Sequence, residues 1–251
     1  MTLRVHDYHD GNRQLQDRFD SRRLADHLVE RVSETIGQPQ KEFIEKADMF
    51  FLATCDHRGL PTCSYKGGDP GFVKVLNDRW LAFPNYDGNG KFQSMGDLLK
   101  NPNVGMLFVD FEGQQRMRLQ GIASILDDDE LLPLFPEAQF IIRVQATEVY
   151  TNCPRYVHKY QKVERSKFVP RHELETPQPE WKSREELQEF FASQGQVQVL
   201  GWSRRRLRQM LRKSVEYQYL RIPAHGILGI AVHPWVATTE PVSFRGSDQT
   251  I

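Results

Sequence analysis

The sequence is poor in cysteine. Only Cys55, Cys63 and Cys153 occur in 251 residues, no two of them stand in a CxxC pair, and three thiols cannot all be joined. A disulfide scaffold is disfavoured, and a reducing compartment is expected. An excess of either charge is also missing: 33 Lys plus Arg stand against 33 Asp plus Glu. A dedicated nucleic-acid binder would carry a basic surplus. No apolar run approaches the roughly 20 residues of a membrane-spanning helix. The opening MTLRVHDYHDGNRQ lacks an apolar signal core, so a soluble cytoplasmic protein is expected. Phosphate-loop signatures are absent too. No GxGxxG follows a strand-like run, and Lys91 precedes Phe92 rather than Ser or Thr. A dinucleotide fold and a Walker loop are thereby disfavoured.

What is present is a series of short strand-like runs. Met49–Cys55 is continuously apolar, Asp56-His57-Arg58-Gly59 is a turn, and 60–66 returns. Gly67-Gly68-Asp69-Pro70-Gly71 interrupts, 72–76 resumes, and Trp80-Leu81-Ala82-Phe83 follows. The next loop, 84–90, is dense in turn formers and carries Lys91. Phe92, Met95, Leu98 and Leu99 then recur at helical spacing until Asn101-Pro102. A loop with a lysine feeding a helix start suits an anion, although such a loop is more often only a turn. Runs 104–111, 115–126 and 140–150 read as further strands. About six to seven strands with hairpin connections predict a mainly β (α+β) fold, an antiparallel barrel with peripheral helices.

The flanks differ. Leu15, Phe19, Leu24, Leu28, Val32 and Ile36 predict one amphipathic helix over 15–36, and 41–47 predicts a shorter one. Asp127-Asp128-Asp129-Glu130 opens a short acidic-capped helix. Residues 156–162 and 183–193 read as helical, with a proline-containing linker over 169–180. Residues 195–251 carry eight basic and three acidic side chains, a net of +5, so the charge balance shifts near Gln194.

Several strings resemble the pyridoxamine 5'-phosphate oxidase-like, FMN-binding split-barrel family. They are FIEKADMFFLAT, GLPTCSYKGGDPGFVKVL, LAFPNYDGNGKFQSMGDLLKNPNVGMLFVDFE, RMRLQG and TNCPRY, which together span about residues 43–175. The resemblance implies a split barrel, a homodimer and FMN between two copies. Carried residue by residue, it implies FMN contacts from Ser64, Lys66 and Gly67, from Val73, Lys74 and Val75, and from Asn89, Lys91, Gln93 and Ser94. Arg116 and Arg118 complete the set. Lys and Arg offer charge-assisted bonds to phosphate, and Ser a short donor. Lys66, Lys74, Arg116 and Arg118 read equally well as outward strand positions. Asp87 is expected to point away from a phosphate. Cys153 reads more readily as a small buried structural thiol than as a pocket residue, and Tyr156 and His158 read as pocket-mouth or ordinary surface residues.

The domain reading is an N-terminal helical arm (1–40), an FMN-binding split barrel (41–175) and a C-terminal extension (176–251), partly helical or disordered. The implied function is FMN-dependent hydride transfer to or from an unidentified small molecule, with NAD(P)H a reasonable donor, no catalytic side chain assigned and no metal. The oxidases' C-terminal substrate motif is matched only superficially by Trp202-Ser203-Arg204-Arg205-Arg206, so the resemblance does not extend to pyridoxal phosphate formation. The alternatives are a non-enzymatic flavin- or haem-binding barrel, with His57, His158 and His172 as ligands, and a deazaflavin-dependent reductase. No nucleic-acid or membrane partner is expected.

Overall fold

The apolar run near residue 50 forms β1 (Met49–Cys55), and the predicted turn brings β2 (Pro61–Gly67) back beside it. The structure, a computed structural model, describes residues 8–191. At that turn the Asp56 carboxylate accepts the Arg58 and Leu60 amides at 2.8 and 3.0 Å. Then come β3 (Lys74–Val75), β4 (Trp80–Asn85), β5 (Asn103–Asp110), β6 (Gln115–Leu126) and β7 (Phe140–Thr151). They form one antiparallel sheet in the order β2-β1-β5-β6-β7-β4-β3.

The sheet curls into the expected split barrel. Phe50 on β1 and Phe83 on β4 stand four places apart in that order, yet their ring centroids lie 5.0 Å apart, edge to face. Phe108 and Phe72 close on Phe50 at 5.2 and 5.8 Å. Phe50, Leu52, Phe83, Phe108, Leu119 and Ile142 are almost completely buried. Each such side chain contributes about 1.5–3 kcal/mol by leaving water. The edge strands β2 and β3 are not paired with each other among the described strands, and the split lies there. Gly121 sits at the β6 bulge against β7, where a Cβ would stand 2.5 Å from the Gln145 carbonyl oxygen. No side chain larger than hydrogen fits so close to backbone.

Among the described residues four α-helices flank the strands: α1 (Asp10–Arg18), α2 (Arg22–Val29), α3 (Gln38–Lys46) and α4 (Gln93–Leu98). Pro39 lies in the first turn of α3, where its missing amide hydrogen costs nothing. The short α4 buries Ser94, Met95 and Leu98. The Thr54 hydroxyl donates to Asp97 at 2.8 Å and pins α4 to β1.

The flanks depart from the periodicity. The single helix predicted over 15–36 is two, broken at Asp20, which has a positive φ of 50°. Beyond α2 the backbone leaves helical geometry so that Ser33 can exchange amide bonds with Val149 of β7 at 3.0 and 2.7 Å. Tertiary pairing outweighs the local pattern here. The run 72–76 shortens to two strand residues because Phe72 turns into the core, its amide held by the Asp69 carbonyl at 2.9 Å. The helix expected from 127–130 is only a turn leading to a 3-10 segment, Leu132–Leu134, because Asp129 is buried against Arg143. Residues 156–162 are not helical: the Tyr160 amide instead reaches the Phe111 carbonyl at 3.2 Å. Residues 183–191 hold 3-10 turns rather than an α-helix. The basic run 204–213 and all of 195–251 lie outside the described residues.

Candidate functional site

Side chains alternate along β2, so register decides which of them face inward. Thr62, Ser64 and Lys66 stand opposite Thr54, Leu52 and Phe50 of β1. Directly opposed residues share a face, and Phe50 and Leu52 point into the core. A polar row therefore lines the inner side of an edge strand, at the split of the barrel. Lys66 ends that row. Burial pushes its ammonium below the ordinary lysine range. Among the described residues it has neither a hydrogen-bond nor an ion-pair partner.

The facing wall comes from the end of β4, the loop after it and the start of α4. Gly90 and Phe92 take positive φ values of 76° and 46°, and they bend the loop sharply before the helix begins at Gln93. The Asn89 side-chain oxygen accepts the Lys91 amide at 3.1 Å and shapes the same bend. Ser94 crosses to the opposite wall, its hydroxyl 3.1 Å from that of Ser64. Between the walls lies a cleft of about 370 Å³, within the usual range for small-molecule sites. Lys66 and Lys91 supply cations, Thr62, Ser64 and Ser94 supply hydroxyls, and Tyr86 and Phe92 supply ring surface.

Six of the twelve residues carried over from the family resemblance line this cleft: Ser64, Lys66, Asn89, Lys91, Gln93 and Ser94. The other six do not. Gly67 adjoins the cleft, but the space beside its Cα is filled by the Tyr65 ring, which a Cβ would meet at 2.7 Å. Val73 and Val75 are core residues. Lys74 alternates with Val75 and pairs with Ala82, in the row that continues to Arg143 on the outer face. Arg116 and Arg118 share the outer face of β6, opposite the buried Met117 and Leu119. The Arg116 guanidinium donates to the Cys153 carbonyl at 3.0 Å. Within one copy of the chain these two arginines and Lys66 lie on opposite sides of the sheet.

Thr62, Asn85 and Tyr86 also line the cleft and were not singled out from the sequence. Thr62 was legible in principle, two residues before Ser64 on the same strand face. Asn85 is buried, and its amide nitrogen donates to Gln139 at 2.8 Å. Burial, Asp69 and Glu137 push the Tyr86 phenol up to about 12, so it keeps its proton at neutral pH.

Two carboxylates belong to the segments that border the cleft, and both are neutralised. Asp87 is absent from the lining, as expected, and pairs with Lys182. Asp69 accepts two bonds from Arg171 at 2.7 and 2.9 Å, and Arg165 stands 3.7 Å away. The Arg171 hydrogen bond is the main reason the Asp69 carboxyl is held below the usual range.

Among the described residues no group of three or more His, Cys, Asp or Glu could hold a metal ion. His57, His158 and His172 are exposed and outside the lining. Cys63 lines the cleft, and all three cysteines are free. No described helix is long and apolar enough to cross a membrane.

Residues 36–155 match the model of the family described as pyridoxamine 5'-phosphate oxidase. No curated protein matches the chain. Among solved structures, it is similar to HupZ of Group A Streptococcus at 16% identity, over 50% of this chain and 99% of that one, with a TM-score of 0.39. An FMN-binding protein of Syntrophomonas wolfei aligns at 11% identity over 54% and 97% of the two chains, with a TM-score of 0.34. The haem storage protein HutZ of Vibrio cholerae aligns at 19% over 44% and 89%, with a TM-score of 0.31.

Proposed function

We propose, from the match of residues 36–155 to the pyridoxamine 5'-phosphate oxidase family model, that the protein binds FMN and is a flavin-dependent oxidoreductase acting on a small molecule. One observation carries this reading: Lys66 is half-buried and, among the described residues, without a partner, in one row with Ser64 and across a cleft from Lys91 and Ser94. Keeping an ammonium away from both water and a counter-ion is costly. A phosphate monoester removes that cost, carrying close to two negative charges at neutral pH. Lys66 and Lys91 give it charge-assisted bonds, and the two serines add short hydroxyl donors.

When bound, FMN supplies hydride transfer. The chain supplies binding and orientation. Tyr86, which keeps its proton, and Phe92 contribute to the lining of the cleft. Arg116 and Arg118, on the other face of the sheet, reach such a ligand in a homodimer that sets one copy's outer face against the other's cleft. Free thiols, with Cys63 and Cys153 exposed, suit a reducing compartment such as the cytoplasm.

The test is the absorption spectrum of the purified full chain, followed by titration with FMN and with riboflavin. Flavin bands, with FMN binding at least about tenfold tighter than riboflavin, are expected, the difference being the phosphate's bonds at about 1.5–3 kcal/mol. A chain that binds neither flavin overturns the proposal. A Soret band points instead to the haem-binding reading, and a deazaflavin spectrum to the deazaflavin reductase.

A further inference from the structure

Residues 160–184 run as a strap of irregular backbone over the barrel surface. Tyr160, Val163, Phe168 and Leu174 of the strap are exposed, while Pro170 is buried and Val169 and Trp181 are half-buried. The Tyr160 and Lys162 amides bond to the Phe111 carbonyl and the Glu112 carboxylate at 3.2 and 3.1 Å, and ion pairs tie down the rest. Lys162 pairs with Asp48, Arg165 and Arg171 with Asp69, and Lys182 with Asp87. Two of those carboxylates are placed by the segments that build the cleft. Asp87 lies between Tyr86 and Gly88, both lining residues. Asp69 follows β2 three residues after Lys66 and acts electrostatically on Tyr86.

We infer that Lys182 and Arg171 are positioning residues for anion binding: they cancel Asp87 and Asp69, which would otherwise repel a phosphate group from the cleft. The inference rests on the flavin-phosphate reading above. Neither cation lines the cleft, so neither bonds the ligand there. Their effect is on the field that the ligand meets. The source of the need is geometric. The loop that carries Lys91 also carries Asp87, and the segment after Lys66 carries Asp69, so the chain cannot bring the binding cations without bringing a carboxylate beside each.

The effect is set by Coulomb's law. One uncompensated carboxylate about 10 Å from a phosphate dianion weakens binding by about fourfold in water-like dielectric. Salt screens it, because the Debye length is about 8 Å at physiological ionic strength and about 3 Å at 1 M. A field effect also vanishes for a ligand without the phosphate.

The experiment uses the full chain, with FMN and riboflavin as probes. Lys182→Gln is expected to weaken FMN binding about fourfold at low salt and to leave riboflavin binding unchanged. Adding Asp87→Asn to it is expected to restore FMN affinity, since no charge then remains to cancel. The independent pair, Arg171→Gln alone and with Asp69→Asn, reads a smaller effect at the second carboxylate, where Arg165 at 3.7 Å still offsets part of the charge. Equal loss for both flavins, loss that persists at 1 M salt, or failure of the Asp→Asn changes to rescue would mean that the strap acts only by holding the loops, and would overturn the inference. Unchanged FMN affinity in both cation variants overturns it as well. If the unaltered chain binds FMN, these outcomes strike this inference alone; if it binds no flavin, the functional proposal falls and this inference falls with it.

Discussion

Arg143 and Lys66 are both basic side chains partly withdrawn from water on one sheet, and the fold treats them in opposite ways. Arg143 on β7 donates to Asp129 at 2.6 and 3.0 Å and to Glu130 at 3.0 Å. Lys66 on β2 has no such partner among the described residues. Hydrogen bonds with Asp129 keep the guanidinium more firmly protonated than an ordinary arginine, whereas burial alone works on Lys66 and lowers its pKa. A cation satisfied by its own chain belongs to the architecture. A cation left unsatisfied beside a cleft is the one that the proposed function assigns to an anion from outside.

The contrast can be broken by mutation, and the largest effect is expected at Arg143. Arg143→Ala leaves the fully buried Asp129 side chain without its counter-ion, which costs about 3 kcal/mol. Denaturant unfolding should show this, while FMN affinity stays unchanged because Arg143 does not line the cleft. Burial works against the Asp129 carboxylate, but Arg143 and the Leu131 amide outweigh it and hold its pKa low. That contribution is present above the ordinary aspartate range and is lost as pH falls through the native value. The deficit of the variant should therefore shrink in acid.

Lys66→Met should give the reverse pattern. Removing a desolvated, unpaired charge should leave stability unchanged or raise it. FMN affinity should fall about thirtyfold, the equivalent of roughly 2 kcal/mol for a bond to a charged group. A variant that loses stability but keeps its FMN affinity would place Lys66 with Arg143 and remove the distinction between them.

The distinction was only partly legible in the sequence. The β1–β2 hairpin was plain, because an apolar run, a four-residue turn and a returning run are local signals. Lys66 was visible as a candidate, but the side of the sheet it faces depends on pairing with Phe50, which alternation within one strand cannot supply. The same limit applies to Arg116 and Arg118: their shared face was evident, its outward direction was not. Residues 169–180 of the strap were read only as a linker because the strap's anchors are distant in sequence, Arg171 lying 102 residues from Asp69 and Lys182 lying 95 from Asp87. No local pattern encodes such pairs. The N-terminal helix failed for a related reason, since the Ser33–Val149 bridge ends a periodicity that would otherwise continue.

The smallest expected effect, and the one that sharpens the contrast most directly, is the pH dependence of FMN binding. The native pKa of Lys66 is depressed below its unfolded value, so the unfolded chain holds this proton to higher pH than the native chain does. The desolvation cost is therefore fully present below the native pKa and is relieved as pH rises through it, so the protein without ligand gains stability in that interval. Bound phosphate reverses the preference, because it favours the ammonium. FMN affinity should consequently decline by a few-fold as pH rises from neutrality toward the ordinary lysine range, beginning earlier than a solvated lysine would allow. It should also decline below about pH 6, where the phosphate takes up a proton and loses part of its charge. Titrations across this range should give a maximum near neutrality for the unaltered chain, whereas Lys66→Met should lose most of the alkaline decline and keep the acid one. An alkaline limb that survives Lys66→Met in full would assign the titration to a group other than Lys66.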